Sequence, residues 1–237
     1  MHLNIQNVIP EKICDGVFRR VLLNSQDTKG RLSVLHHTLS EGEVHFSGSK
    51  IEYQHYIISG CCLYRNKYFH GDTAIFVPGA SRFGELSKHT IEHAGEGELR
   101  VLTAIYQMQN SNFRWAKSRE KNLDETPPSF SGMVANQLFT EEEHAVMGAR
   151  RMHSIDVQTH APLVLLPIHS NPEEFGYILR GNGEVVSGLD KYSVGPGSLV
   201  YTPEGEPHSI RNASEVLPLQ YVAFEFTEQD KSINEMQ

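Results

Sequence analysis

The chain has 237 residues, with 21 basic and 29 acidic side chains and 39% hydrophobic residues. Those proportions support an ordinary globular core and exclude wholesale disorder, and no run reaches the ~18 apolar residues of a bilayer span. The net charge of −8 excludes a general nucleic-acid or anionic-membrane binder, which would carry a basic stripe. The opening residues, MHLNIQNVIPEKICDG, lack a basic start followed by an apolar stretch. The three cysteines, Cys14, Cys61 and Cys62, are odd in number, and the adjacent pair is poorly placed to bond to itself. A cytoplasmic chain is the expectation.

A first β-rich segment runs from about Leu32 to Tyr106. It contains the apolar strand Tyr56-Ile-Ile-Ser-Gly60, a polar hairpin, the run Thr73-Ala-Ile-Phe-Val-Pro78 and the closing strand Leu99–Tyr106. The same order returns between Met152 and Phe226, as Tyr177-Ile-Leu-Arg-Gly181, Ser198-Leu-Val-Tyr-Thr-Pro203 and Leu219–Phe226. Short strands at this spacing, punctuated by Gly and Pro, predict a sandwich or barrel built twice. The polar stretch from Gln107 to about Ser131 has linker composition. Thr140-Glu-Glu-Glu143 is a capping-box pattern that predicts a short helix over about Glu141–Arg150. The expected division is therefore 1–108, a linker with a helix over 109–150, and 151–237.

Chemistry concentrates in the second repeat. Gly197-Ser-Leu-Val-Tyr-Thr-Pro203-Glu-Gly205-Glu-Pro-His208-Ser-Ile-Arg-Asn212 follows G-x5-P-x-G-x2-H-x3-N, and His169-Ser-Asn-Pro-Glu-Glu174 with Gly181 follows H-x4-E-x6-G. These are the second motif and the latter part of the first motif of the cupin superfamily, which the chain resembles. The resemblance implies an all-β fold of two tandem jelly-roll barrels with a short helix in the connecting segment. It also implies that His169, Glu174 and His208 hold one divalent transition metal (Mn, Fe, Ni or Zn), with open positions for substrate. The first motif normally reads H-x-H, and here Pro167 stands at the first His. Tyr201 shares strand parity with Leu199 and Pro203, so a regular strand could turn it inward as a proton-handling residue, although core packing suits it as well.

Counted by the same spacing, the ligand positions of the first repeat fall on Gly48, Tyr53 and Phe83, none a metal ligand of the expected type. That half is expected to be structural or substrate-closing, with a rearranged site using His45, Glu52 or His55 as the lesser reading. His36, His37, His70, His89 and His93 read as surface or loop residues. The first 60 residues or so resemble ectoine synthase, and the layout of a degenerate first barrel before a ligand-bearing second resembles ureidoglycine aminohydrolase. Neither comparison carries a substrate over. The expected function is a metal-dependent lyase, isomerase or hydrolase acting on a small polar metabolite, without nucleic acid or membrane partners. A non-haem iron dioxygenase and a non-catalytic small-molecule-binding protein are the alternatives. The sheet edges of a jelly roll are compatible with a homo-oligomer.

Overall fold

The structure, a computed structural model, describes residues 1–28, 31–48, 50–79, 88–108, 118–128, 134–147, 149 and 151–227. Nearly all of its regular structure is antiparallel β, and the helix Glu141–Val146 stops four residues short of the predicted end. Among the described residues no helix is long and apolar enough to cross a membrane. The chain divides into two compact units. One comprises the described residues of Val8–Leu123 and Glu142–Met152, the other those of Met1–Asn7, Asp124–Glu141 and His153–Glu228.

In the N-terminal unit a seven-stranded sheet runs in the order Arg119–Asn122, Thr73–Val77, Ile51–Ser59, Leu99–Gln107, Leu32–Leu39, Val17–Leu23, Glu11–Cys14. A second sheet, Glu43–Phe46, His89–His93, Cys61–Tyr64, Lys67–His70, completes the jelly roll. Phe46, Tyr53, Ile57, Ile75, Ile91 and Val101 belong to one buried cluster, as alternate residues of facing strands should. The polar stretch read as linker thus contributes an edge strand, Arg119–Asn122, paired with Thr73–Phe76.

The central strand Ile51–Ser59 is buried on both faces over most of its length. Tyr53 belongs to the core cluster, while Glu52 and Gln54, on the opposite face, meet the segment 142–152. Gln54 Oε1 lies 3.1 Å from Nε2 of His144, and Glu52 Oε2 accepts the backbone N–H groups of Arg151 at 2.8 Å and Met152 at 3.0 Å. Glu52 therefore anchors backbone on the outer side of the sheet and takes no part in a barrel-interior site. Replacing it with alanine would strand two buried N–H donors. We expect Glu52→Ala to cost about 2–5 kcal/mol in urea unfolding.

His36, His37 and His89, expected at the surface or in loops, lie in strands and are 3%, 3% and 8% exposed. Burial, then Arg20, His37 and Arg100, lowers His36 to about 3, with a backbone hydrogen bond opposing. Burial and Arg19 lower His37 to about 4. Both are neutral when folded, whereas in the unfolded chain they protonate near 6.5. Unfolding takes up protons between those values, so their contribution to stability is present above about 6.5 and is lost as pH falls toward 4. The urea midpoint of the N-terminal unit should be lower at pH 4.5 than at pH 7, and His37→Asn should narrow the difference.

The C-terminal unit repeats the plan. Its larger sheet runs His2–Asn4, Ser198–Thr202, Glu173–Arg180, Leu219–Phe226, Met152–His160, Val134–Phe139. Its smaller sheet runs Asp190–Val194, Gly183–Ser187, His208–Asn212. The repeat is visible at one backbone detail. Gly60 and Gly181 have φ of +84° and +82°. A Cβ at Gly60 would strike the Glu98 carbonyl and Leu99, and one at Gly181 would strike the Pro218 carbonyl and Leu219. Only glycine serves where the chain turns left-handed against its own closing strand.

Candidate metal centre in the C-terminal barrel

Two backbone hydrogen bonds set the site. His169 and His208 form an antiparallel bridge, each N–H donating to the other's carbonyl at 3.0 and 2.9 Å. The bridge places the two imidazoles side by side, ring centres 4.3 Å apart. Each ring is then fixed by its own chain. Nδ1 of His169 lies 2.9 Å from the Pro167 carbonyl, and Nδ1 of His208 lies 3.0 Å from that of Glu206. A carbonyl only accepts, so each Nδ1 carries a proton and each neutral ring keeps its lone pair on Nε2. Pro167 occupies the position of the missing motif histidine and contributes its carbonyl to orient the next one.

Glu174 enters from the neighbouring strand. Its Oε1 lies 2.9 Å from Nε2 of His208, yet the approach is out of line for a hydrogen bond, and that buried nitrogen has no hydrogen-bond partner. Its Oε2 accepts from Asn171 Nδ2 at 3.0 Å. The structure thus brings His169, Glu174 and His208 to one end of the barrel, with His208 and Glu174 in contact. Among the described residues, no three His, Cys, Asp or Glu side chains form a ready-made cage for an ion.

Tyr201 is not brought there. The register pairs Glu174 with Thr202 and Phe175 with Tyr201, and residues directly opposite in an antiparallel pair share a face. Thr202 lines the cavity, whereas the Tyr201 hydroxyl donates to Glu173 Oε1 at 2.7 Å on the other side of the sheet. The strand is regular as expected, but its odd-numbered residues face away from the site. Tyr201→Phe should lower stability by about 1–3 kcal/mol, since it removes a buried hydrogen bond to the Glu173 carboxylate. It should leave metal content unchanged, as read by metal analysis beside a thermal melt.

The first repeat presents a different set. His89 opens the strand His89–His93 opposite Phe46, the placement that His208 has opposite His169. Phe83, where spacing put that position, lies outside the described residues. Tyr53 is buried in the core, and Gly48 has no side chain to offer. His55 Nε2 lies 2.8 Å from Nε2 of His89, and its Nδ1 lies 3.0 Å from the Thr103 hydroxyl. Burial, then His89 and His37, holds His55 well below the ordinary imidazole range. His45 instead pairs with Glu43 at 3.1 Å on the exposed strand Glu43–Phe46.

Sequence reasoning missed the shell around the C-terminal cluster. Asn171, between the two motif positions His169 and Glu174, donates to both Glu174 and, at 3.2 Å, Glu225 Oε1. Glu225 stands directly opposite Glu174 on the next strand and also accepts from the Ser154 hydroxyl at 3.0 Å. The one available signal was an acid inside the aromatic run Tyr221–Phe226. Burial pushes Asp156 up to about 7, with Glu225 and Glu174 adding to it and a Gln158 hydrogen bond opposing. Burial and Glu174 likewise raise Glu225. For His208, burial works against protonation, but Glu174, the Glu206 carbonyl and Glu225 together lift its pKa above the ordinary value. The cluster opens on a cavity of about 500 Å³ counting its mouth, walled by Leu166, Ile178, Val185, Val200 and Ile210. That combination of apolar walls and convergent polar groups is characteristic of a small-molecule site.

Residues 154–225 match the family model described as a cupin domain. No curated protein matches the chain. Solved structures do. Protein Ylba from E. coli superposes with a TM-score of 0.76 at 16% identity, over 98% of this chain and 92% of that one. The putative glyoxylate induced protein from Pseudomonas aeruginosa gives 0.73 at 11% identity, over 95% and 86%. Oxalate decarboxylase from Bacillus subtilis gives 0.73 at 12% identity, over 99% and 78%. At such identities the likeness is one of fold, and that fold is the cupin jelly roll, present here in both repeats.

Proposed function

We propose that the C-terminal barrel is a metal-dependent enzyme centre for a small polar metabolite, with His169, Glu174 and His208 as protein ligands to one divalent transition metal. The observation that carries this reading is the buried Nε2 of His208, which lies 2.9 Å from Glu174 Oε1 without hydrogen-bonding to it. Two donor atoms about 3 Å apart could both reach one divalent cation. The donor set fits in chemistry as well, since both imidazoles are held through Nδ1 by backbone carbonyls, as metal-binding histidines commonly are. When bound, the metal would act as a Lewis acid or activate water or oxygen.

The chain's own residues would do the rest. Asn171 holds the Glu174 carboxylate by its second oxygen, leaving Oε1 toward His208. The aliphatic side chains Leu166, Ile178, Val185, Val200 and Ile210 would pack against the apolar part of a substrate. Mn(II) centres are present in the structurally similar Bacillus subtilis oxalate decarboxylase, which supports a divalent ion of this kind without selecting among Mn, Fe, Ni and Zn. Lyase, isomerase or hydrolase chemistry is our reading. The two-histidine, one-carboxylate set would equally suit a non-haem iron dioxygenase, which oxygen uptake would reveal. The direct contact between Glu174 and His208 favours one second reading, a metal-free binding barrel.

Metal analysis of the full chain, purified without chelator, separates these. We expect about one divalent ion per chain. His208→Ala should weaken its binding at least ~100-fold, in line with loss of a first ligand and more than the loss of an outer-shell partner, while the fold is retained. Unchanged metal content in that variant would refute the ligand set, and a wild-type chain without metal would leave the binding protein as the better reading.

A further inference from the structure

The cavity of the C-terminal barrel has a second polar end. Along the strand Glu173–Arg180 it is lined by Glu174, Gly176 and Ile178, which the register sets opposite Glu225, Ala223 and Tyr221 of the closing strand. Four residues at ~3.3 Å each put the Ile178–Tyr221 pair about 13 Å along the sheet from Glu174. Between the two ends the wall is Gly176 and Ala223, which fill little of it. The positions equivalent to these in the first repeat, five before Gly60 and four after Leu99, are His55 and Thr103. Their side chains contact each other at 3.0 Å, and His55 meets His89 across the interior. The open space is therefore a property of the second repeat's residues and not of the fold.

At the far end the Tyr221 hydroxyl donates to Gln158 Oε1 at 2.5 Å, and the buried His160 brings Nε2 to 3.4 Å from that oxygen and 3.3 Å from the hydroxyl. This fixes the amide. Its carbonyl is taken by Tyr221, and Nε2 has two N–H donors, one for Asp156 and one for the cavity that Gln158 lines. The phenol oxygen, also in the lining, keeps a lone pair as acceptor. A donor beside an acceptor, with no Lys or Arg among the lining residues, complements a neutral head that itself accepts and donates. A carboxylate would set acceptors against the phenol oxygen without a cation, and a methyl group would leave both polar groups unmet.

We propose that the C-terminal barrel selects an elongated small metabolite with a neutral, carboxamide-type head received by Gln158 and Tyr221, its other end reaching the ion at His169, Glu174 and His208. Only that second contact rests on the metal-centre reading. Gln158 and Tyr221 are specificity-determining residues and take no part in the chemistry.

Succinamate, succinate and 4-methylpentanoate share one carboxylate and one spacer and differ in the far head, which is neutral and polar, charged, or apolar. Each would be titrated calorimetrically into the full chain after chelation and reloading with Mn(II), with metal content measured on the same sample. Succinamate should bind at least ~10-fold more tightly than either of the others, the discrimination expected where a buried donor and acceptor go unmet. Gln158→Met should remove most of that preference at unchanged metal content, and Tyr221→Phe serves as the second variant should the first fail to fold. Equal or tighter binding of succinate or 4-methylpentanoate, or no binding of succinamate, overturns the proposal and leaves a metal-loaded centre standing. So does a folded variant with its preference intact. Preference for succinamate in a chain that takes up no metal would support the far subsite and remove the metal centre.

Discussion

Everything at the C-terminal site depends on one pair of backbone hydrogen bonds, those joining His169 to His208. The two residues lie 39 positions apart in the chain, and neither ring could be placed by its own segment alone. Bridge pairing fixes both Cα positions at once, and the carbonyls of Pro167 and Glu206 then fix both ring orientations. The side chains inherit their arrangement from the main chain, which is the least adaptable part of a folded protein. A site preorganised in this way loses little entropy when a ligand arrives.

The second repeat was readable because its signals are local. The interval from Pro203 through Gly205 to His208 is a turn and a strand start, and the spacing of such pieces is set by backbone geometry. The first repeat was misread for the converse reason. His208 follows Pro203 by five residues, whereas His89, the residue with the equivalent placement, follows Pro78 by eleven. Counting five residues on from Pro78 lands on Phe83 and leaves His89 in the role of an idle surface histidine. Loop length is not constrained by the core, so position counting survives only inside elements and tight turns.

Tyr201 shows a subtler limit. Period-2 parity correctly grouped it with Leu199, but parity does not say which of the two faces looks inward. Only the pairing of Glu174 with Thr202 resolves that, and pairing is a property of two strands. The outer shell was hidden for a similar reason. Asn171, Ser154 and Glu225 come from three separate stretches, and no pattern within any one of them announces a shared hydrogen-bond network. The short helix was visible in its capping box, whereas the use of the residues after it as backbone donors to Glu52 was not.

The strand His2–Asn4 pairs with Ser198–Thr202, at the opposite end of the chain, and Gly197, with φ of +83°, lies close against Ile5. The extreme N-terminal residues are therefore part of the C-terminal barrel, which gives the molecule an interlaced connectivity. Cutting the gene at the obvious repeat boundary would release a C-terminal fragment with an uncovered β-edge along Ser198–Thr202. Bare edges of this kind recruit other strands and aggregate. A dissection that respects the fold would instead carry residues 2–7 along with the C-terminal half, joined by a short artificial tether.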